Sequence, residues 1–311
     1  MSSFMVFPGQ GAQYPQMLHQ LPNETLIREC LLQASDELGE DVVALDSADA
    51  LTSTRSVQLC LLIAGVACAR LLIERSEAPT YVAGLSIGAY PAAVIAGSLG
   101  FGDALRLVAL RGELMQNAYP SGFGMTAILG LDQTTVEALI AEVHSAETPL
   151  YLANINAETQ LVVAGSDAAM ALIADLAKAK GAAAAKRLAV SVPSHCALLD
   201  QPALALASAF AKVSMQAPAV RYLSGSTARL VGTADKLRDD LTYNMCRVID
   251  WRSTVHTAYE RGVRLQIELP PGTVLTGLGR KVFEPGAAVA FQGARMDTLS
   301  ALLQEEGCRN P

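Results

Sequence analysis

Residues 84 to 88 of this 311-residue chain read Gly-Leu-Ser-Ile-Gly, a serine framed by two glycines. A serine hydroxyl is a poor nucleophile unless it stands on a sharp turn, beside a base and near donors for an oxyanion. The flanks supply the turn. Tyr81-Val82-Ala83 reads as a strand running in and AYPAAVIAGS as a helix running out to Gly97, the strand-to-helix junction of a nucleophile elbow. Gly84 and Gly88 leave room for the bend, and the backbone N–H of Ile87 heads the following helix, where the dipole favours negative charge. A glycine-lined turn that only packs a helix on a sheet has the same sequence, so Ser86 carries both readings at this stage.

A base is the next requirement. Of four histidines, His19 sits in an early polar loop, His144 at a helix end and His256 on a helical surface pattern. His195, in SVPSHCALL, falls between a strand and a helix where the chain returns to its larger unit, a junction that delivers a side chain to a cleft. The adjacent Cys196 lacks the electropositive setting of a reactive thiol. The most suggestive acid is Asp250 in VIDWRSTV. The order Ser, His, Asp differs from the Ser, acid, His of the α/β-hydrolase family and disfavours membership of it. Asp250 either orients His195, through its carboxylate or its backbone carbonyl, or caps a helix that starts at Trp251. Arg111 lies within the helical pattern FGDALRLVALRGELMQNAY, where a charge among apolar positions needs a partner.

Apolar periodicity predicts the elements that hold these residues. Phe4 to Phe7 reads as a strand, Asn23 to Leu38 and Phe101 to Tyr119 as helices. From Met125 to Val192 the pattern is strand, helix, strand, strand, helix, strand, the last strand spanning AAKRLAVSV. The remainder alternates helices and strands, with a helix over 198–213, a strand at Val220 to Leu223, helices near 235–245 and after Trp251, and the strand LQIEL. The expected fold is α/β: a large α/β-hydrolase-like subdomain (1–124 and 193–311) with an inserted ferredoxin-like βαββαβ small subdomain (125–192) and a ligand cleft between them.

Composition narrows the function. Half the residues are apolar, enough for a sizeable core. Only 17% are charged and the net charge is −7, which excludes the basic surface of a nucleic-acid binder. Six scattered cysteines without a C-x-x-C pair read as reduced thiols, with no metal site. The start, MSSFMVFPGQG, has no basic region and an apolar run broken by Pro8, so no secretion signal is read there and a cytoplasmic location is expected. The run Val57 to Ile73 approaches a membrane span in length, but it holds Gln58 and Arg70 and reads as a buried core helix, with no membrane partner.

FPGQGAQ (7–13), GLSIG (84–88), LVALRGELMQ (107–116), NIN with QLVVAG, VSVPSHCAL (190–198) and ELPPGTVLTGL (268–278) together resemble the malonyl-CoA:acyl carrier protein transacylase family over nearly the whole chain. Within it, GLSIGAYPAAVIAGSL, FPGQGAQYPQMLHQLP and the doublet in ELPPG are most similar to the malonyl transferase (epsilon) subunit of biotin-independent malonate decarboxylase. The resemblance implies that Ser86 attacks the thioester of malonyl-CoA with His195 as base, and that the N–H groups of Gln10 and Ile87 hold the oxyanion. It also implies transfer of the malonyl group to the phosphopantetheine-type thiol of a carrier protein, that of malonate decarboxylase, with no permanently bound cofactor. Arg111 would grip the free carboxylate, for which a planar guanidinium is suited. A salt bridge to Glu113, Asp103 or another acid accounts for Arg111 equally well. Asn154 and Asn156 match a polar loop of the family and are expected at the pocket or as strand-end caps.

Three positions depart from the family pattern: Leu85 stands for a common His, Asp250 for a usual Gln, and Pro270 for the first Gly of a G-P-G turn. A carboxylate at position 250 beside His195 would raise the pKa of the imidazole. Two other functions use the same residues. A thioesterase or esterase would hand the acyl group from Ser86 to water, and GQGAQY after a strand begins like a dinucleotide-binding loop, though Tyr14 replaces its third glycine. Candidate basic pairs for docking a carrier are Arg280 with Lys281 and Lys186 with Arg187.

Overall fold

The computed structural model describes residues 2–308. The first apolar run forms β1 (Ser2–Phe7), and strand alternation divides its side chains between two apolar clusters. Phe4 and Val6 pack with Trp251 and Leu275; Met5 and Phe7 pack with Leu62 and Ile63 on the opposite face. Burial on both faces is what a parallel sheet covered by helices on both sides requires. There follow α1 (Thr25–Leu38), α2 (Thr54–Arg75), β2 (Tyr81–Gly84), α3 (Ala89–Ile95) and α4 (Phe101–Ala118). α2 is long and apolar enough to cross a membrane, yet it is buried without interruption from Ser56 to Ala69 and packs against α1, α3 and α4. The segment GQGAQY does not open a helix: the next one after β1 starts only at Thr25, so no helix N-terminus stands behind the loop to receive a pyrophosphate.

The middle of the chain forms β3 (Phe123–Leu129), α5 (Gln133–Val143), β4 (Leu150–Ala157), β5 (Gln160–Ser166), α6 (Asp167–Ala179) and β6 (Ala184–Arg187). The strands pair antiparallel in the order β6-β3-β5-β4, the ferredoxin-like arrangement. Both helices start on side-chain caps: Asp132 accepts from the Thr135 N–H (2.8 Å) and Ser166 from the Ala169 N–H (3.2 Å). The strand expected over AAKRLAVSV stops at Arg187. Beyond it the chain runs irregularly to His195 and borders the cleft.

The rest comprises α7 (Asp200–Phe210), β7 (Arg221–Leu223), β8 (Leu230–Val231), α8 (Ala234–Tyr243), β9 (Ile249–Asp250), α9 (Trp251–Glu260), β10 (Val263–Glu268), α10 (Val274–Arg280), β11 (Ala287–Ala290) and α11 (Met296–Cys308). The large sheet runs β11-β10-β1-β2-β7-β8, parallel except for β8. Phe7 lies opposite Gly84 and Val6 opposite Glu268, so β1, β2 and β10 end on one edge of the sheet. Ligands of open parallel sheets bind outside that edge. One connection was not foreseen. β9 pairs in parallel with β4, Ile249 beside Asn154 and Asp250 beside Ile155, and so adds a fifth strand to the smaller sheet.

Candidate active site

The elbow is steric before it is chemical. Ser86 adopts φ 56°, left-handed backbone that a non-glycine residue occupies only under constraint. A side chain at Gly84 would overlap the carbonyl carbon of Gly88, and one at Gly88 would overlap the carbonyl of Phe7. The two glycines are therefore what allows the turn to close on β1. On the other side, a Cβ at Gly9 would stand 2.7 Å from Leu85 Cδ2. This close approach brings the loop after β1, with Gln10, alongside Ser86.

A cleft of about 430 Å³ opens above the elbow. Gln10, Leu85, Ser86 and His195 line one side; Asn154, Asn156 and Val162, from the smaller sheet, line another. His195, like Ser86, is held in left-handed backbone (φ 65°) and is 3% exposed. Its N–H donates to the Met245 carbonyl (2.7 Å) and its ring Nδ1 lies 2.6 Å from the Asn244 carbonyl oxygen. A carbonyl only accepts, so the proton is on Nδ1 and Nε2 carries the lone pair. Burial first, then the charge of Arg111, holds the imidazole pKa down at about 4, against the upward pull of the Asn244 carbonyl.

Of the two readings of Asp250, the structure shows the helix cap and not the orientation of His195. The Asp250 carboxylate accepts from the Ser253 N–H (2.9 Å) as the N-cap of α9, and His195 is oriented by Asn244, six positions earlier. With the acid on its cap, the upward pKa shift expected of His195 gives way to a downward one.

This shift makes stability depend on pH. Because His195 titrates lower in the folded protein than at the ordinary 6.5 of the unfolded chain, the unfolded chain takes up a proton first as pH falls. The contribution is complete above pH 6.5 and drains away toward about 4, on the order of 3 kcal/mol in all. Urea midpoints followed from pH 7 to about 4.5 are expected to fall more steeply for wild type than for His195→Gln. Equal slopes would contradict this assignment.

Arg111, from α4, is fully buried. Its Nη1 donates to Gln58 Oε1 (2.7 Å), and its Nη2 to Asn244 Oδ1 (3.2 Å) and Ser86 Oγ (3.4 Å). The acids considered for it are engaged elsewhere, Glu113 with Arg55 (3.1 Å) and Asp103 with Arg106 (2.5 Å). All three of these partners are neutral, its Nε has no hydrogen bond among the described residues, and burial lowers its pKa. A desolvated cation in this state has strong affinity for an arriving carboxylate.

The remaining candidates fall around this centre. Ile87 follows Ser86 and is fully buried; Gln10 accepts from Gln58 Nε2 (3.0 Å), which ties the loop after β1 to the Arg111 network. Asn154 and Asn156 lie on β4 in the cleft wall, each with a buried Oδ1 that has no hydrogen bond among the described residues. Of the basic pairs, Lys186 and Arg187 stand at the cleft, Arg187 also pairing with Asp167 (2.6 Å). Arg280 and Lys281 are exposed at the end of α10. Sequence reasoning missed Gln58 and Asn244; an amide near the start of the apolar run of α2 was the one signal for the first.

The chain matches the model of the acyl transferase domain family over residues 4–301. It is 37% identical over 292 residues to the malonyl CoA-acyl carrier protein transacylase of Escherichia coli (strain K12), covering 92% of this chain and 94% of that protein. The transacylase of Haemophilus influenzae is 39% identical over 287 residues, 89% of this chain and 91% of the other. Among solved structures, FabD from Acinetobacter baumannii superposes with a TM-score of 0.91 at 36% identity, covering 97% and 98% of the two chains. A malonyl-transacylase solved in complex with a type II PKS acyl-carrier protein gives the same TM-score and identity over 98% and 100%. With a serine elbow, a buried histidine and near full-length likeness to these enzymes, the chain is an acyltransferase and belongs to the acyl transferase domain family.

Proposed function

We propose that this protein moves the malonyl group of malonyl-CoA onto the phosphopantetheine thiol of an acyl carrier protein, through a malonyl ester of Ser86. The observation that carries this reading is Arg111, a buried cation with neutral partners, 3.4 Å from the nucleophilic oxygen. A malonyl thioester has its free carboxylate one methylene from the reacting carbonyl, the separation such a cation can span while Ser86 attacks.

In the first half-reaction Ser86 Oγ bonds to the thioester carbon and its proton passes to His195 Nε2. The N–H groups of Gln10 and Ile87 hold the oxyanion. The intermediate collapses, the C–S bond breaks, and CoA leaves as a thiol with the proton from His195. The carrier thiol then repeats the sequence in reverse. The malonyl carboxylate also acts on the base: by neutralising Arg111 it removes a charge that depresses His195, so the correct substrate makes the imidazole more basic.

We assign the carrier to fatty-acid synthesis. Likeness to acyl carrier protein transacylases extends over about nine-tenths of the chain, whereas resemblance to the malonate decarboxylase subunit rests on three short stretches. Enzyme malonylated with labelled malonyl-CoA and freed of excess is expected to transfer the label to holo acyl carrier protein much faster than to water. Rapid release as free malonate would make the protein a thioesterase, and transfer only to the malonate decarboxylase carrier subunit would restore that assignment.

A further inference from the structure

Asn244, at the C-terminal end of α8, makes three contacts with the catalytic machinery and is 1% exposed. Its backbone carbonyl accepts from His195 Nδ1 (2.6 Å). Its side chain does something separate: Oδ1 accepts from Arg111 Nη2 (3.2 Å) and Nδ2 donates to the Ser86 carbonyl (3.2 Å). The amide orientation is fixed by its neighbours, since a guanidinium can only donate and a carbonyl only accept. Any residue at position 244 would offer the carbonyl. Only a short amide offers the rest.

We infer that the Asn244 side chain sets the selectivity for malonyl over uncharged acyl groups, by fixing the Arg111 guanidinium at one distance from Ser86. This rests on the malonyl-transfer reading above. An arginine side chain has several rotatable bonds, and a free one would have to be ordered at each encounter. Here Nη1 is held by Gln58 and Nη2 by Asn244, and the same Asn244 amide grips the backbone of the nucleophile, so guanidinium and elbow are joined through one rigid group. Both acceptors are neutral. They orient the cation without discharging it, whereas an aspartate at 244 would pair with Arg111 and leave no charge for the substrate.

The test measures acylation rates (kcat/KM for CoA release) with malonyl-CoA and acetyl-CoA for wild type, Asn244→Ala and Asn244→Asp. Asn244→Ala keeps the backbone carbonyl but releases the Ser86 carbonyl as well as Arg111, so both rates fall; the malonyl rate is expected to fall by about thirtyfold, as for loss of a buried hydrogen bond to a charge, and the malonyl-to-acetyl ratio by about tenfold. In the near-isosteric Asn244→Asp the malonyl rate should fall by about a hundredfold or more, with a far smaller loss for acetyl. The malonyl-to-acetyl ratio of each variant separates the positioning of Arg111 from general damage to Ser86 and His195, and Asn244→Asp carries the same test if the alanine variant folds poorly. Equal losses for both substrates in the variants would reduce Asn244 to a structural residue and overturn the inference. A wild type that accepts both substrates equally would overturn the malonyl reading itself.

Discussion

Replacing Arg111 with methionine is expected to cut malonyl transfer by about a thousandfold while leaving the folded protein no less stable than wild type. On the proposed reading, the loss follows from removing the charge that would meet the substrate carboxylate in a water-excluded site, where truncating one partner of a buried pair costs about 3 to 5 kcal/mol. The stability side has the opposite sign because, among the described residues, the buried guanidinium has no carboxylate partner and its Nε is unsatisfied. An apolar residue of similar length removes that desolvation cost, and the unpaired oxygens of Gln58 and Asn244 offset part of the gain. The net expectation is between no change and about 2 kcal/mol of added stability, read from urea unfolding. Acetyl transfer should persist in this variant. A loss of more than about 3 kcal/mol in stability would instead mean that Arg111 belongs to the scaffold.

Ser86→Ala has the larger effect on rate. Without the hydroxyl neither half-reaction has a nucleophile, and activity should fall by about 10⁴-fold or more. Stability should barely change, because alanine occupies the same left-handed backbone at φ 56° with similar strain. Ser86→Gly separates chemistry from strain: equally inactive, it should be more stable by about 1 kcal/mol, glycine being at ease at positive φ. Rates and urea midpoints of the two variants, measured together, check both halves. Residual activity within tenfold of wild type in either would remove Ser86 from the mechanism.

The parts of this site legible in the sequence were those that local sterics or periodicity impose. Gly84 and Gly88 frame Ser86 because nothing larger fits against the turn and β1. The βαββαβ unit showed because buried positions recur every three or four residues along α5 and α6, and short apolar runs such as QLVVAG mark the strands between them. What stayed hidden was created by distant segments meeting. β9 has two residues, too few for any period, yet it joins the smaller sheet. Asn244 orients His195 with a backbone carbonyl, an atom every residue owns, so no residue type marks it, whereas the cap reading of Asp250 was legible from its place just before Trp251. Gln58 stood out in α2 only as a residue unsuited to a membrane span. Its use, holding Arg111 and Gln10, depends on α4 and the loop after β1 both packing against α2.

The central claim is that Ser86 carries a malonyl group selected by Arg111, and the intact mass of the protein after brief exposure to malonyl-CoA tests it most directly. One malonyl adduct on wild type, absent from Ser86→Ala and weak or absent with acetyl-CoA, is the expected result. CoA release with no adduct would mean that water takes the acyl group as fast as it is loaded, and neither adduct nor CoA release would leave Ser86 a residue of the turn alone.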